Sequence, residues 1–188
     1  MTGEELIEND MNTDRLIKNI LDQVKEAQLK LGFARETVRL YYPLASLNRL
    51  LQTEVQTGKE LAELLAGENL FRSLPGEAAF RSRGERIEIS VPPETVCYVH
   101  EQVEEPAFLK AMIELFAQHH AATRENLKEV FGSFGKAYVL EEMPEGSDFD
   151  YVMYFPDKDP DEYYYCIKEE MGHTIYHRFM EEDYRQLL

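Results

Sequence analysis

What this sequence lacks narrows its function more than any motif it contains. It has only two cysteines, Cys97 and Cys166, far apart and without CxxC spacing, so neither a disulfide framework nor a structural zinc is indicated. Basic residues are scarce. Met1 to Ser90 carry 15 acidic against 12 basic residues, the remainder 21 against 8, and the net charge is −16. Nucleic-acid binding needs Lys and Arg to displace counterions, so a field of this sign excludes a phosphate backbone as the direct partner, and it disfavours anionic membranes likewise. No apolar run approaches the roughly 20 residues that span a bilayer. Met1–Asp10 is acidic and has no apolar stretch of the export-signal kind. The expectation is a reduced, cytoplasmic protein without a membrane role.

Catalytic and cofactor signatures are missing too. Thr57-Gly58-Lys59-Glu60 and Gly135-Lys136 lack the remaining residues of a phosphate loop. There is no GxSxG and no Gly-rich dinucleotide turn. Asp157-Lys-Asp-Pro-Asp161 starts like a calcium loop, but Glu162 and Lys168 stand where the sharp turn and the closing ligand belong. An acidic loop between strands fits it better. His173 and His177 would chelate from a helix. On a strand they lie roughly 13 Å apart, too far for one zinc. No cofactor or metal is expected.

What is present is helical periodicity followed by alternation. Asn12 or Thr13 can cap a helix carrying Leu16, Ile20, Val24 and Leu31, which Gly32 stops. Arg35 to Pro43 reads as a second helix, Leu44 to Leu51 as a fresh start after Pro43, and Gly58–Ala66 as a short helix. Alternation at Ala79–Ser82 and Glu85–Val91 predicts a hairpin turning near Gly84. Pro92-Pro93 can open a helix through Val103, although Val96, Tyr98 and Val99 suit a strand equally well, and further helices follow Pro106 and Thr123. The predicted fold is a single α+β domain over 1–188: a helical part over 13–66, a hairpin over 78–91, helices over 93–133, and an antiparallel sheet of three to four strands over 136–179.

Eight of the eleven tyrosines lie from Tyr138 onward, mostly in alternating runs. A two-residue turn at Met171-Gly172 would set Glu170 opposite His173 and Cys166 opposite His177. One face then carries Tyr163, Tyr165, Ile167, Thr174, Tyr176 and Arg178. The other carries Tyr164, Cys166, Lys168, Ile175, His177 and Phe179. Tyrosine suits association, since its ring buries area while its hydroxyl keeps a polar partner. Tyr163, Tyr165, Tyr176 and Arg178 are therefore the candidate interaction surface, for a protein partner or a second copy. Cys166 and His177 are the catalytic candidates, because a thiol beside an imidazole is the minimum for an activated nucleophile. A thiol flanked by Tyr and Ile reads more naturally as an inert buried side chain. Asp148 or Asp150 is the carboxylate alternative. The arginines at 72, 81, 83 and 86 form the one basic cluster, a solvated hairpin face or an anion site.

Tyr163-Tyr-Tyr-Cys-Ile-Lys168 with Gly172-His-Thr-Ile-Tyr-His-Arg-Phe179, and Arg86-Ile-Glu-Ile ahead of Pro92-Pro93, resemble the signature of a small family of uncharacterised bacterial proteins. The resemblance implies an intracellular setting and no chemistry. The functional expectation is a non-catalytic binding or protein-interaction module. The alternative is a small enzyme with a Cys–His or carboxylate site on the C-terminal sheet.

Overall fold

The computed structural model describes residues 11–188; the acidic segment Met1–Asp10, read above for an export signal, lies outside them. Among the described residues, seven helices and two antiparallel sheets make a mixed α+β architecture. The chain divides into two compact units, residues up to 25 with 34–103, and residues 26–33 with 104–188. Among the described residues no helix is long and apolar enough to cross a membrane.

Helix α1 (Thr13–Leu31), whose residues up to Lys25 belong to the first unit, is capped by Asn12, whose Oδ1 accepts the Arg15 amide, and it buries Leu16, Ile20 and Val24. Strand β1 (Val38–Pro43) comes next, followed by helices α2 (Leu44–Leu51) and α3 (Gly58–Gly67). Thr57 caps α3 by accepting the Glu60 amide at 3.2 Å, so the Thr57–Glu60 segment is a helix start. The predicted hairpin is β2 (Ala79–Arg83) and β3 (Arg86–Val91), and Pro92-Pro93 opens α4 (Pro93–Gln102). The sheet order is β1-β3-β2. Its inner face sets Leu40 opposite Ile89 and Tyr42 opposite Ile87. With Leu47, Leu61, Leu65, Val96 and Val99, these side chains form a buried core. Each such side chain contributes roughly 1.5–3 kcal/mol.

The helix expected over Arg35–Pro43 is corrected to β1. Burial there alternates, with Leu40 and Tyr42 inside and Arg39 and Tyr41 outside. Strand pairing to β3 exploits β-branched and aromatic residues that have little helix propensity.

In the second unit, α5 (Ala107–Gln118) and α6 (Arg124–Ser133) precede strands β4 (Val139–Glu142), β5 (Tyr151–Tyr154), β6 (Tyr164–Glu170) and β7 (His173–Phe179), paired in that order; α7 (Glu181–Tyr184) ends the chain's regular structure. Thr123 and Asn126 cap α6 reciprocally, each satisfying an otherwise orphaned amide. Met171 and Gly172 both have left-handed backbones, with φ of 50° and 77°, and close β6 onto β7 in the expected register.

Candidate functional site

The tyrosine-rich sheet is covered on the face that carries Tyr163, Tyr165 and Ile167. Phe108, Met112, Leu127 and Phe131 from α5 and α6 pack there against Tyr151, Met153 and Phe155. Phe108 meets Phe131, Phe155 and Tyr165 edge-on, at centroid distances of 4.7, 4.9 and 5.3 Å. Tyr163 and Tyr165 are thus core residues. The Tyr165 hydroxyl donates to buried Asp161 at 3.0 Å, and burial raises its pKa first, with the Asp161 charge adding to the rise. Arg178 is buried as well, and half-buried Tyr176 donates from its hydroxyl to Glu26 at 3.1 Å. Tyr163, Tyr165 and the Arg178 side chain are packed inside the second unit, and Tyr176 stays partly exposed. A face rich enough in aromatics to attract a partner is also rich enough to attract the chain's own helices.

The opposite face is covered in part. Tyr184 stacks on Tyr164 at 4.6 Å, and Tyr164 stacks on Tyr154 at 4.3 Å, above buried Cys166 and Val152. Cys166 stands directly opposite His177, as the register requires. Burial pushes its thiol up to about 12, the reverse of what a nucleophile needs. His177 is exposed and packs against Phe149 at 5.4 Å. The pairing is there and the activation is not.

The carboxylates of the acidic loop diverge. Asp161 accepts from the Tyr163 amide at 2.8 Å, while Asp159 pairs with Lys136. Among the described residues no group of three or more His, Cys, Asp or Glu converges on a metal position. A cleft of about 410 Å³ does exist in the second unit, lined by Arg124, Glu142, Pro144, Ser147, Asp150 and Glu169. Its charges hold one another. Arg124 grips Glu142 with both terminal nitrogens, which holds that carboxyl below its usual range, and lies 4.1 Å over the Tyr151 ring. Asp150 accepts the Glu169 amide at 2.6 Å. Asp148 is exposed and outside the lining.

The outer face of the β1-β3-β2 sheet is different. Its register makes three cross-strand rows: Pro43–Arg86–Arg83, Tyr41–Glu88–Arg81, and Arg39–Ser90–Ala79. All four arginines are exposed, and so is Tyr41, at 53%. Glu88 sits in the middle, 4% exposed beneath its long neighbours. Arg83 Nε donates to it at 3.1 Å. Burial raises the Glu88 carboxyl, but the bond from Arg83 and the fields of Arg83, Arg39 and Arg81 outweigh it and hold the group below its usual range. Arg72 lies in the turn segment after α3, not on this face. Arg39 and Tyr41 belong to the cluster but escape a sequence reading that treats Arg35–Pro43 as helix; the signal was alternation centred on Leu40 and Tyr42.

No curated protein and no solved structure matches the chain. A family model described as "Domain of unknown function, E. rectale Gene description (DUF3877)" matches residues 13–188, far beyond the short segments that carry the resemblance, and the chain belongs to that family.

Proposed function

We propose that this chain is a non-catalytic, intracellular interaction module whose contact surface is the outer face of the β1-β3-β2 sheet. One observation carries the reading: a sheet face with four exposed arginines and an exposed tyrosine, in a chain of net charge −16. Arginine and tyrosine are enriched where proteins meet, because a planar fork and a ring fix geometry at low entropic cost. The occupant is a protein rather than nucleic acid or membrane, and two free cysteines fit a reducing, cytoplasmic setting.

Photocrosslinking in cells tests this. Tyr41→p-benzoylphenylalanine gives an adduct of defined mass that Arg81→Glu abolishes, while the same label at exposed Ile175 gives none. Equal labelling from both positions, or none from position 41, overturns the reading. The other reading, a small enzyme with a carboxylate site, draws its support from the Asp150 cleft. It requires a turnover that Asp150→Asn abolishes.

A further inference from the structure

We propose that the outer face of the β1-β3-β2 sheet docks an extended, acidic segment of a protein partner. The inference rests on the reading of that face as the contact surface and adds the chemistry of what it contacts. Arg81 and Arg83 are two residues apart on β2, so their side chains leave the same face about 7 Å apart. Carboxylates at alternate positions of an extended polypeptide have the same spacing. The rows from Arg86 to Arg39 extend the basic field over about 13 Å along the strands, room for several such residues.

Arg83 and Arg86 stand directly opposite one another across the ladder. Like charges in that relation repel. Glu88 answers Arg83 from one side only. A carboxylate laid over the pair would accept from both forks and remove the repulsion. Tyr41 beside Glu88 supplies a ring for an apolar residue between the acids.

Charge also separates this occupant from other polyanions. At physiological salt, exposed charges are screened beyond about 8 Å, so a short acidic segment confined to the face feels mainly the arginines. A duplex carries a charge every 1.7 Å or so and would run on over a surface belonging to a −16 chain. An anionic bilayer meets the same obstacle.

The test is fluorescence anisotropy of the full chain with four probes. These are a labelled peptide of about twelve residues with Glu and Leu alternating, long enough to cross the face, its Gln counterpart, an oligothymidylate, and phosphatidylserine–phosphatidylcholine vesicles. The acidic peptide binds, weakens as salt rises, and loses about tenfold or more in Arg81→Glu/Arg86→Glu. Circular dichroism verifies that the variant is folded, and Arg39→Glu gives the same loss by a separate substitution. The proposal is overturned if the Gln peptide binds as well, if both variants bind like the parent, or if oligothymidylate or vesicles bind more tightly. Failure here with crosslinking intact at position 41 removes the acidic partner and keeps the contact face. Failure of both removes the face.

Discussion

Arg178 lies over the ring of Tyr163, its guanidinium carbon 4.0 Å from the ring centre. The same side chain donates to Glu26 at 2.8 Å, and Glu26 also receives Lys30 at 2.7 Å. Among the described residues Arg178 Nε is buried without a hydrogen-bond partner, and the Tyr163 ring lies within cation–π range of the guanidinium. A buried pair of this kind is costly to break and inexpensive to replace. Arg178→Ala should therefore destabilise the second unit by about 3–5 kcal/mol. Arg178→Met combined with Glu26→Leu should come close to the parent. Urea titration of the three proteins checks the contrast, and a double variant as unstable as the single one would refute it.

The same pair makes an acid limb. Burial raises the Glu26 carboxyl, but the Arg178 charge and the Lys30 and Tyr176 bonds outweigh it and hold the group below its ordinary 4.5. A carboxyl depressed in the folded state adds stability above its unfolded pKa and loses it as pH falls through the folded one. Stability should thus fall on acidification below about pH 4.5. In Glu26→Gln that part of the slope should vanish. Thermal melts across the acid range measure it.

Cys166 reports on the C-terminal tail. Its thiol, pushed up by burial from 9.0 to about 12, should resist Ellman's reagent at pH 8 while half-buried Cys97 reacts. Tyr184→Ala, which removes the ring stacked at 4.6 Å on Tyr164, should raise the Cys166 labelling rate about tenfold or more by opening that cover. The raised pKa also carries a sign: its stabilising share is complete below pH 9 and is lost as pH climbs toward 12.

Gly58 fixes where α3 meets the β2–β3 hairpin. A Cβ there would stand 2.8 Å from Ser82 Oγ and 3.1 Å from the Gly84 carbonyl oxygen. The serine can turn aside, but the backbone oxygen cannot. Gly58→Ala should cost about 1–3 kcal/mol, and Ser82→Ala should recover only part of it. Thermal unfolding of the single and double variants decides this.

The β6–β7 register was legible from the sequence because two signals agree there: a Gly-containing two-residue turn, and strict alternation on both sides of it. Strand β1 was not. Leu40, Tyr41 and Tyr42 are consecutive and apolar, so an outward Tyr41 hides the period of two that burial reveals. Which tyrosines are core was hidden for another reason. Alternation assigns Tyr165 and Cys166 to opposite faces, but only tertiary packing decides that Phe108 and Phe131 cover one and Tyr184 part of the other. The arginine face needed both corrections at once, since Arg39 and Tyr41 join Arg81, Arg83 and Arg86 only when β1 pairs with β3.

The turn that sets the β6–β7 register has a further consequence. Met171 holds a left-handed backbone, and its side chain is 93% exposed. It gains nothing from packing to offset a conformation that costs most L residues about 1–2 kcal/mol. This position is unused stability: Met171→Asn, a residue tolerant of that conformation, should raise the melting temperature while leaving both faces of the sheet untouched. The hairpin is therefore weaker than its geometry allows, at a position whose exposed side chain can be replaced without disturbing the packed faces of the sheet.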